Sequence, residues 1–247
     1  MDKRIHLLFT RHIGPALLRE AQQKGVDISC ESFIEVRPLQ PSPVANLLSD
    51  ISTRPIRAIF TSAHAAEAVL AVVGPKKLPW IIFSLEGNTR STVLRYQPQI
   101  QLFSAPDARQ LAQLIIAAST QAAGKNDLPI ECYFFSGNRR LDTLPRLLTQ
   151  YGIPFREIVV YETHLTPKRM ERLYDGYAFF SPSAVESFFS LNELPAGKPC
   201  FAMGETTAEA LRKHTRQVIV SSQPQTADLL YTIYAYFGLE THQAADT

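Results

Sequence analysis

Three cysteines in 247 residues, Cys30, Cys132 and Cys200, stand far apart with no C-x-x-C spacing. That excludes a disulfide framework and a cysteine zinc site, and leaves them as small core residues in a reducing compartment. The six histidines are scattered, and none pairs with cysteine or a carboxylate at ligand spacing, so no metal is expected. No apolar run approaches membrane-spanning length. The run Ile5–Phe9 is soon followed by Arg11 and His12 and is too short for the apolar part of a secretory signal. A cytoplasmic protein without membrane association is expected. A large charge of one sign is also missing. The formal net charge of +2, with no Lys/Arg cluster interleaved with aromatics, argues against nucleic acid. Neither G-x-x-x-x-G-K-[ST] nor G-x-G-x-x-G occurs, and H-E-x-x-H, G-x-S-x-G and EF-hand patterns are absent. No cofactor is therefore expected.

What is present is an ordinary globular composition, 45% hydrophobic and 19% charged. Short, mostly continuous apolar runs read as parallel strands buried on both faces. They are Ile5–Thr10, Ile28–Val36, Arg57–Thr61, Trp80–Leu85, Ile100–Ser104, Ile130–Ser136, Phe155–Tyr161, Tyr177–Phe180, Pro199–Met203 and Gln217–Ser221. Helical patterns lie between them, over Pro15–Lys24, Ala65–Val73, Asp107–Ser119, Leu141–Tyr151, Thr206–His214 and Ala227–Phe237. Alternating strand and helix predicts an α/β fold with parallel sheets.

One stretch of pattern occurs twice. Phe60-Thr61-Ser62-Ala63-His64-Ala65-Ala66-Glu67 reappears as Phe179-Phe180-Ser181-Pro182-Ser183-Ala184-Val185-Glu186. Phe83 to Thr89 reappears as Phe201 to Thr207. A third unit, Phe9-Thr10-Arg11 with its helix and strand, resembles Phe135 to Arg139 with theirs. The order along the chain is one, two, three, one, two, three, which implies two similar α/β domains. A tandem division would cut near Gln121–Pro129. An interleaved division would cut near Arg37–Pro43 and near Thr163–Pro167. Proline stiffens a connection and cannot continue a central strand, so the interleaved division is favoured; Gly124–Asp127 reads as a surface loop.

Hydroxyl and small residues gather at the strand-to-helix turns: Thr10, Ser62, Asn88 and Thr89, Ser136 to Asn138, Ser181 and Ser183, Thr206 and Thr207. Each can be a helix N-cap. As an ensemble at the carboxyl ends of parallel strands they would surround a ligand crevice with N–H donors suited to an anion. Arg11, Arg139 and Arg140 are the nearby cations. Tyr161 ends a strand at the second linker, where a phenol could donate or accept a proton.

Leu8-Phe9-Thr10-Arg11, Phe60-Thr61-Ser62, Ser136-Gly137-Asn138-Arg139, Val159-Val160-Tyr161-Glu162-Thr163, Phe180-Ser181-Pro182-Ser183 and Gly204-Glu205-Thr206-Thr207 occur in one order and spacing. In that order the chain resembles the uroporphyrinogen-III synthase family from about residue 5 to residue 235. The resemblance implies two similar parallel-sheet, flavodoxin-like, three-layer domains joined by a two-stranded hinge. Residues 1–36 plus 166–247 would form one domain and 40–161 the other, with 37–39 and 162–165 as linkers. It implies a cofactor-independent lyase acting on hydroxymethylbilane, a linear tetrapyrrole with eight carboxylates. A monomer is expected, because the active cleft would lie within one chain. Loss of the terminal hydroxyl as water gives an azafulvene, ring D attacks through its substituted carbon, and the spiro intermediate recloses with ring D inverted. Tyr161 matches the family's hinge tyrosine, which would help the hydroxyl leave. Thr206 and Thr207 match its Thr pair, and Ser62, Ser181 and Gly137-Asn138 match turns that would line the substrate. With Thr10, Arg11, Thr89, Ser136, Arg139 and Ser183 they complete the expected substrate-binding set. His12 stands where the family often has proline, and Glu205 puts a carboxylate beside a supposed anion site.

Two other readings remain open from the residues alone: a two-lobed small-molecule binding protein without chemistry, and a two-lobed nucleotide-sugar transferase. The second would require a phosphate-binding glycine loop.

Overall fold

The computed structural model describes residues 4–39, 42–122 and 130–239. The expected surface loop at 124–127, most of the 121–129 cut region and part of the 37–43 cut region lie outside them. Contacts divide the chain into two compact units, Met1–Glu35 with His164–Thr247, and Val36–Thr163.

The first unit holds β1 (Ile5–Phe9), α1 (Pro15–Gln23) and β2 (Val26–Cys30). Its later part holds β9 (Gly176–Phe179), α7 (Pro182–Phe189), β10 (Cys200–Ala202), α8 (Glu205–Leu211), β11 (Val218–Val220) and α9 (Thr226–Phe237). The second unit begins within β3 (Ile34–Pro38) and continues through α2 (Ser42–Ile51), β4 (Arg57–Phe60), α3 (Ala63–Val73), β5 (Ile81–Leu85) and α4 (Asn88–Tyr96). It ends with β6 (Gln101–Ala105), α5 (Ala108–Ala122), β7 (Cys132–Gly137), α6 (Thr143–Gln150) and most of β8 (Arg156–Leu165). Alternation of strand and helix fails twice, at β2–β3 and at β8–β9, and these are the two places where the chain crosses from one unit to the other.

The sheet of the first unit runs β11-β10-β9-β1-β2, and that of the second β3-β8-β7-β4-β5-β6. The pairs from β1 to β11 in the first sheet are parallel, as are β8-β7-β4-β5-β6 in the second. β3 and β8 run in opposite directions: the Thr166 N–H donates to the Phe33 carbonyl (3.0 Å) and the Leu39 N–H to the Val160 carbonyl (3.0 Å). Setting β3 aside and numbering along the chain, the first sheet has the order 2-1-3-4-5, the flavodoxin arrangement, and the second has 3-2-1-4-5. The second takes the first one's order when counted from β7, so the two sheets are related by a circular permutation, the structural counterpart of the sequence repeat.

Each sheet is buried on both faces, and the strand period of two sorts its residues between them. In the second unit Ala58, Phe60, Tyr133 and Phe135 face α2, α3 and α4, while Ile59, Phe134 and Cys132 face α5 and α6. In the first, Leu8, Tyr177 and Phe179 face α7 and α8, while Leu7, Phe9, Ala178 and Phe201 face α1 and α9. Both units are therefore three-layered. Phe188 of α7 lies against Phe33, Tyr177, Phe179 and Phe189, with ring centroids 5.1 to 5.8 Å away. The sole tryptophan, Trp80, donates to the Ile51 carbonyl at 2.9 Å and so ties the end of α2 to the start of β5.

Three expectations need correction. The single strand Ile28–Val36 is two strands in different sheets, because the chain leaves one unit for the other after burying Phe33 in the first core. The proline-rich stretch is not all linker, since Pro38 ends β3 and Ser42-Pro43 open α2; proline is tolerated in a first helical turn. β8 runs four residues beyond its expected end at Tyr161 because it pairs with β3 as well as β7.

Candidate functional site

In an open parallel sheet the ligand crevice lies at the carboxyl ends of the strands where the connections change direction. In the second unit that point is between β7 and β4, and in the first between β1 and β9. The candidate residues follow these ends strand by strand. Tyr161, Ser136 to Asn138, Ser62 and Thr89 lie on or after β8, β7, β4 and β5. Thr10 with Arg11, Ser181 with Ser183, and Thr206 with Thr207 follow β1, β9 and β10.

Tyr161, Gly137 and Ser62 meet. The ladder between β7 and β8 pairs Ser136 with Val159 but Gly137 with Tyr161, so Val160 is one extra residue on β8. Such a bulge re-aims a side chain. Val160 is buried in the core of the second unit, and Tyr161, half-buried, packs against the same cluster. The Tyr161 hydroxyl donates to Ser62 Oγ at 3.1 Å. Ser62 is the N-cap of α3, extended at φ −143° and ψ 137°, and its Oγ also accepts the His64 N–H at 3.2 Å. The His64 ring lies 5.7 Å from the Tyr161 ring. The backbone around Tyr161 is held by Asn138, whose N–H donates to the Tyr161 carbonyl (3.3 Å) and whose Oδ1 accepts the Thr163 N–H (2.8 Å). Burial raises the Tyr161 phenol above its ordinary value of 10, opposed in part by the Ser62 hydrogen bond. This phenol keeps its proton throughout the neutral range.

Ser136 is buried and its hydroxyl donates to Glu157 Oε1 at 2.7 Å. Arg140 grips the same carboxylate with Nε on Oε1 (2.6 Å) and Nη2 on Oε2 (2.7 Å), and also reaches Asp142. This bidentate pair holds Glu157 below the usual carboxylate range, chiefly through the Arg140 hydrogen bonds. Thr10 is 1% exposed, and its hydroxyl donates to the Ala178 carbonyl at 3.1 Å. Thr89 and Thr207 are buried in the first turns of α4 and α8. The hydroxyls of Thr10 and Ser136 are thus engaged within their own units. Arg11, Asn138, Arg139 and Thr206 are exposed, and Ser181 and Ser183 are half-buried. Ser181 caps α7 by accepting the Ala184 N–H at 3.2 Å. Arg11 lies over the Phe180 ring, 4.8 Å from its centroid. Glu205, the first residue of α8, is paired with Arg212 at its C-cap, about two turns along, which offsets its charge.

Sequence reasoning passed over His64 and Glu157. Neither had a local signal: His64 reaches Tyr161 only through the fold, and Glu157 is twenty-one positions from its partner Ser136. Among the described residues no group of three or more His, Cys, Asp or Glu could hold a metal, and no helix is long and apolar enough to cross a membrane. Two surface grooves lie elsewhere on the second unit. One of about 320 Å³ is lined by α5 and α6, and one of about 550 Å³ lies at the amino ends of β5 and β6.

Comparison with curated proteins gives no match. Among solved structures, uroporphyrinogen-III synthetase from Helicobacter pylori aligns with a TM-score of 0.59 at 16% identity, over 94% of this chain and 99% of that one. A mutant uroporphyrinogen III synthase from Thermus thermophilus aligns with a TM-score of 0.60 at 13% identity, over 95% of this chain and 98% of that one. At these identities the likeness establishes the fold. A family model described as uroporphyrinogen-III synthase HemD matches residues 16–231, a span that includes the Tyr161–Ser62–Gly137 group and both repeats. The chain belongs to the uroporphyrinogen-III synthase family.

Proposed function

We propose that the chain cyclises hydroxymethylbilane to uroporphyrinogen III and that Tyr161 is its proton donor. The match over residues 16–231 carries the reaction, and the protonated phenol within β8, hydrogen-bonded to Ser62, supports the role of Tyr161. In this reading the phenol proton passes to the terminal hydroxyl of the substrate as the C–O bond breaks, and the hydroxyl leaves as water. The azafulvene so formed is attacked by ring D at its substituted carbon. The spiro intermediate fragments and recloses with ring D inverted, and the proton released as the pyrrole regains aromaticity restores the phenol. Net change is the loss of one water, with no redox step. Most of the work is holding a flexible polyanion so that one closure is faster than the unaided one.

Substrate carboxylates are assigned to Arg11, Arg139, Asn138, Thr206 and Ser183, together with N–H groups in the first turns of α3 and α7. Thr10, Ser136, Thr89 and Thr207 support these turns rather than touch the ligand. Ser62 and Gly137 serve through Tyr161, and Ser181 through its cap on α7. The working form is taken to be a cytoplasmic monomer, for which light scattering would give a mass near 27.6 kDa. The test of function is product identity. Hydroxymethylbilane generated in situ with this protein gives mainly isomer III after oxidation and chromatography; isomer I alone, as without protein, would remove the assignment.

A further inference from the structure

Most of the described glycines are explained by backbone conformation: Gly25, Gly74, Gly87, Gly152, Gly197 and Gly238 have φ between 65° and 81°. Gly137 is the opposite case. Its φ is not in the left-handed region, so any residue could adopt its backbone. Yet a Cβ built on it would lie 2.3 Å from Tyr161 Cζ, 2.6 Å from Cε2 and 2.7 Å from the phenol oxygen. Its three nearest neighbours all belong to that one side chain. The phenol occupies the space in which a side chain at position 137 would lie.

We propose that Gly137 is a positioning residue: its missing side chain is the seat that lets the Tyr161 ring lie across β7 and put its hydroxyl on Ser62. The proposal rests on the reading of Tyr161 as proton donor. The backbone on either side of the ring is pinned, by Leu39 on Val160 and by Asn138 on Tyr161 and Thr163. A methyl group at position 137 must therefore be met by the ring and not by the strand. Restoring ordinary contact moves the ring by about 1 Å, a misplacement that can cost about 10²-fold in rate.

The test is a double-mutant cycle on Gly137→Ala and Tyr161→Phe, read as kcat and KM, with ¹³Cζ-tyrosine NMR of the free enzyme. Gly137→Ala is expected to lower kcat to within about threefold of Tyr161→Phe, with KM little changed, and to cost no more than about twofold when added to Tyr161→Phe. The Tyr161 resonance should shift in Gly137→Ala as the Ser62 hydrogen bond is lost. Wild-type kcat in Gly137→Ala, with Tyr161→Phe impaired, overturns the seat and leaves Tyr161 in the mechanism. Equal losses from Gly137→Ala in both backgrounds overturn it too, because Gly137 would then act on the substrate directly. Wild-type kcat in Tyr161→Phe removes the premise and the proposal together, and is told apart by that variant alone. If Gly137→Ala does not fold, Gly137→Ala/Tyr161→Ala decides: recovery of folding supports the steric link, and failure shows that position 137 meets something other than the ring.

Discussion

Replacing Tyr161 by Phe removes one oxygen and leaves the ring. The ring keeps its seat over Gly137, its neighbour His64 and its place against the core of the second unit. The lost hydrogen bond to Ser62 contributes about 0.5–1.5 kcal/mol net. Ser62 still accepts the His64 N–H, so no buried acceptor is stranded, and the phenol no longer has to be desolvated. Unfolding free energy should fall by under about 1 kcal/mol. Catalysis loses far more, since a positioned general acid contributes about 10²–10⁴-fold. At the low end kcat drops about 10²-fold, equivalent to about 2.7 kcal/mol of barrier. KM should stay within about twofold, because the removed atom acts on the departing hydroxyl and not on the carboxylates. The assay has an internal clock: the open substrate closes unaided to isomer I, so the slower variant should give a mixture in which isomer I rises with dilution of the protein. Wild-type kcat and an unchanged isomer ratio, with the variant folded, would refute the reasoning.

Three further outcomes follow from the side-chain environments. Glu157 is held below its ordinary 4.5 by Arg140, so its contribution to stability is present above that value and is lost as pH falls through the lower folded value. Glu157→Gln should lower the melting temperature at pH 7 and flatten its decline below about pH 4.5; an unchanged acid limb by circular dichroism would contradict the assignment. Burial pushes Cys200 up to about 12 and raises Cys132 and Cys30, so thiol labelling at pH 8 should be slow in the native protein and quick after denaturation. Rapid stoichiometric labelling of Cys200 in the native state would be inconsistent with its burial. Phe188→Ala empties a site bounded by four aromatic rings and should cost about 3–5 kcal/mol in chemical denaturation; a loss under about 1 kcal/mol would mean the core closes over the gap.

Much of the architecture was legible because its signals are local. Continuous apolar strands, glycines after helices and the repeated Phe-x-Ser turns all act within a few residues, and two copies of one pattern correspond to two sheets related by a circular permutation. The crossings were less visible. Ile28–Val36 reads as one strand because both halves are apolar, and only the pairing of β2 with β1 and of β3 with β8 separates them. α2 was masked by three prolines, although a proline in the first turn does not stop a helix. At the site, Tyr161 and Ser62 were named from turn chemistry and resemblance, but their hydrogen bond depends on a bulge that no residue type announces. Thr10 and Ser136 show the converse. Their hydroxyls look free in a sequence and are committed in the fold to Ala178 and Glu157.

The central claim is a ring closure with inversion of ring D. It is tested most directly with hydroxymethylbilane labelled with ¹³C in ring D, incubated with the protein and followed by NMR of the macrocycle. The account predicts a product in which the acetate and propionate groups of ring D are exchanged and those of the other three rings keep their order. A macrocycle with ring D in its original order, formed at the rate seen without protein, would contradict it.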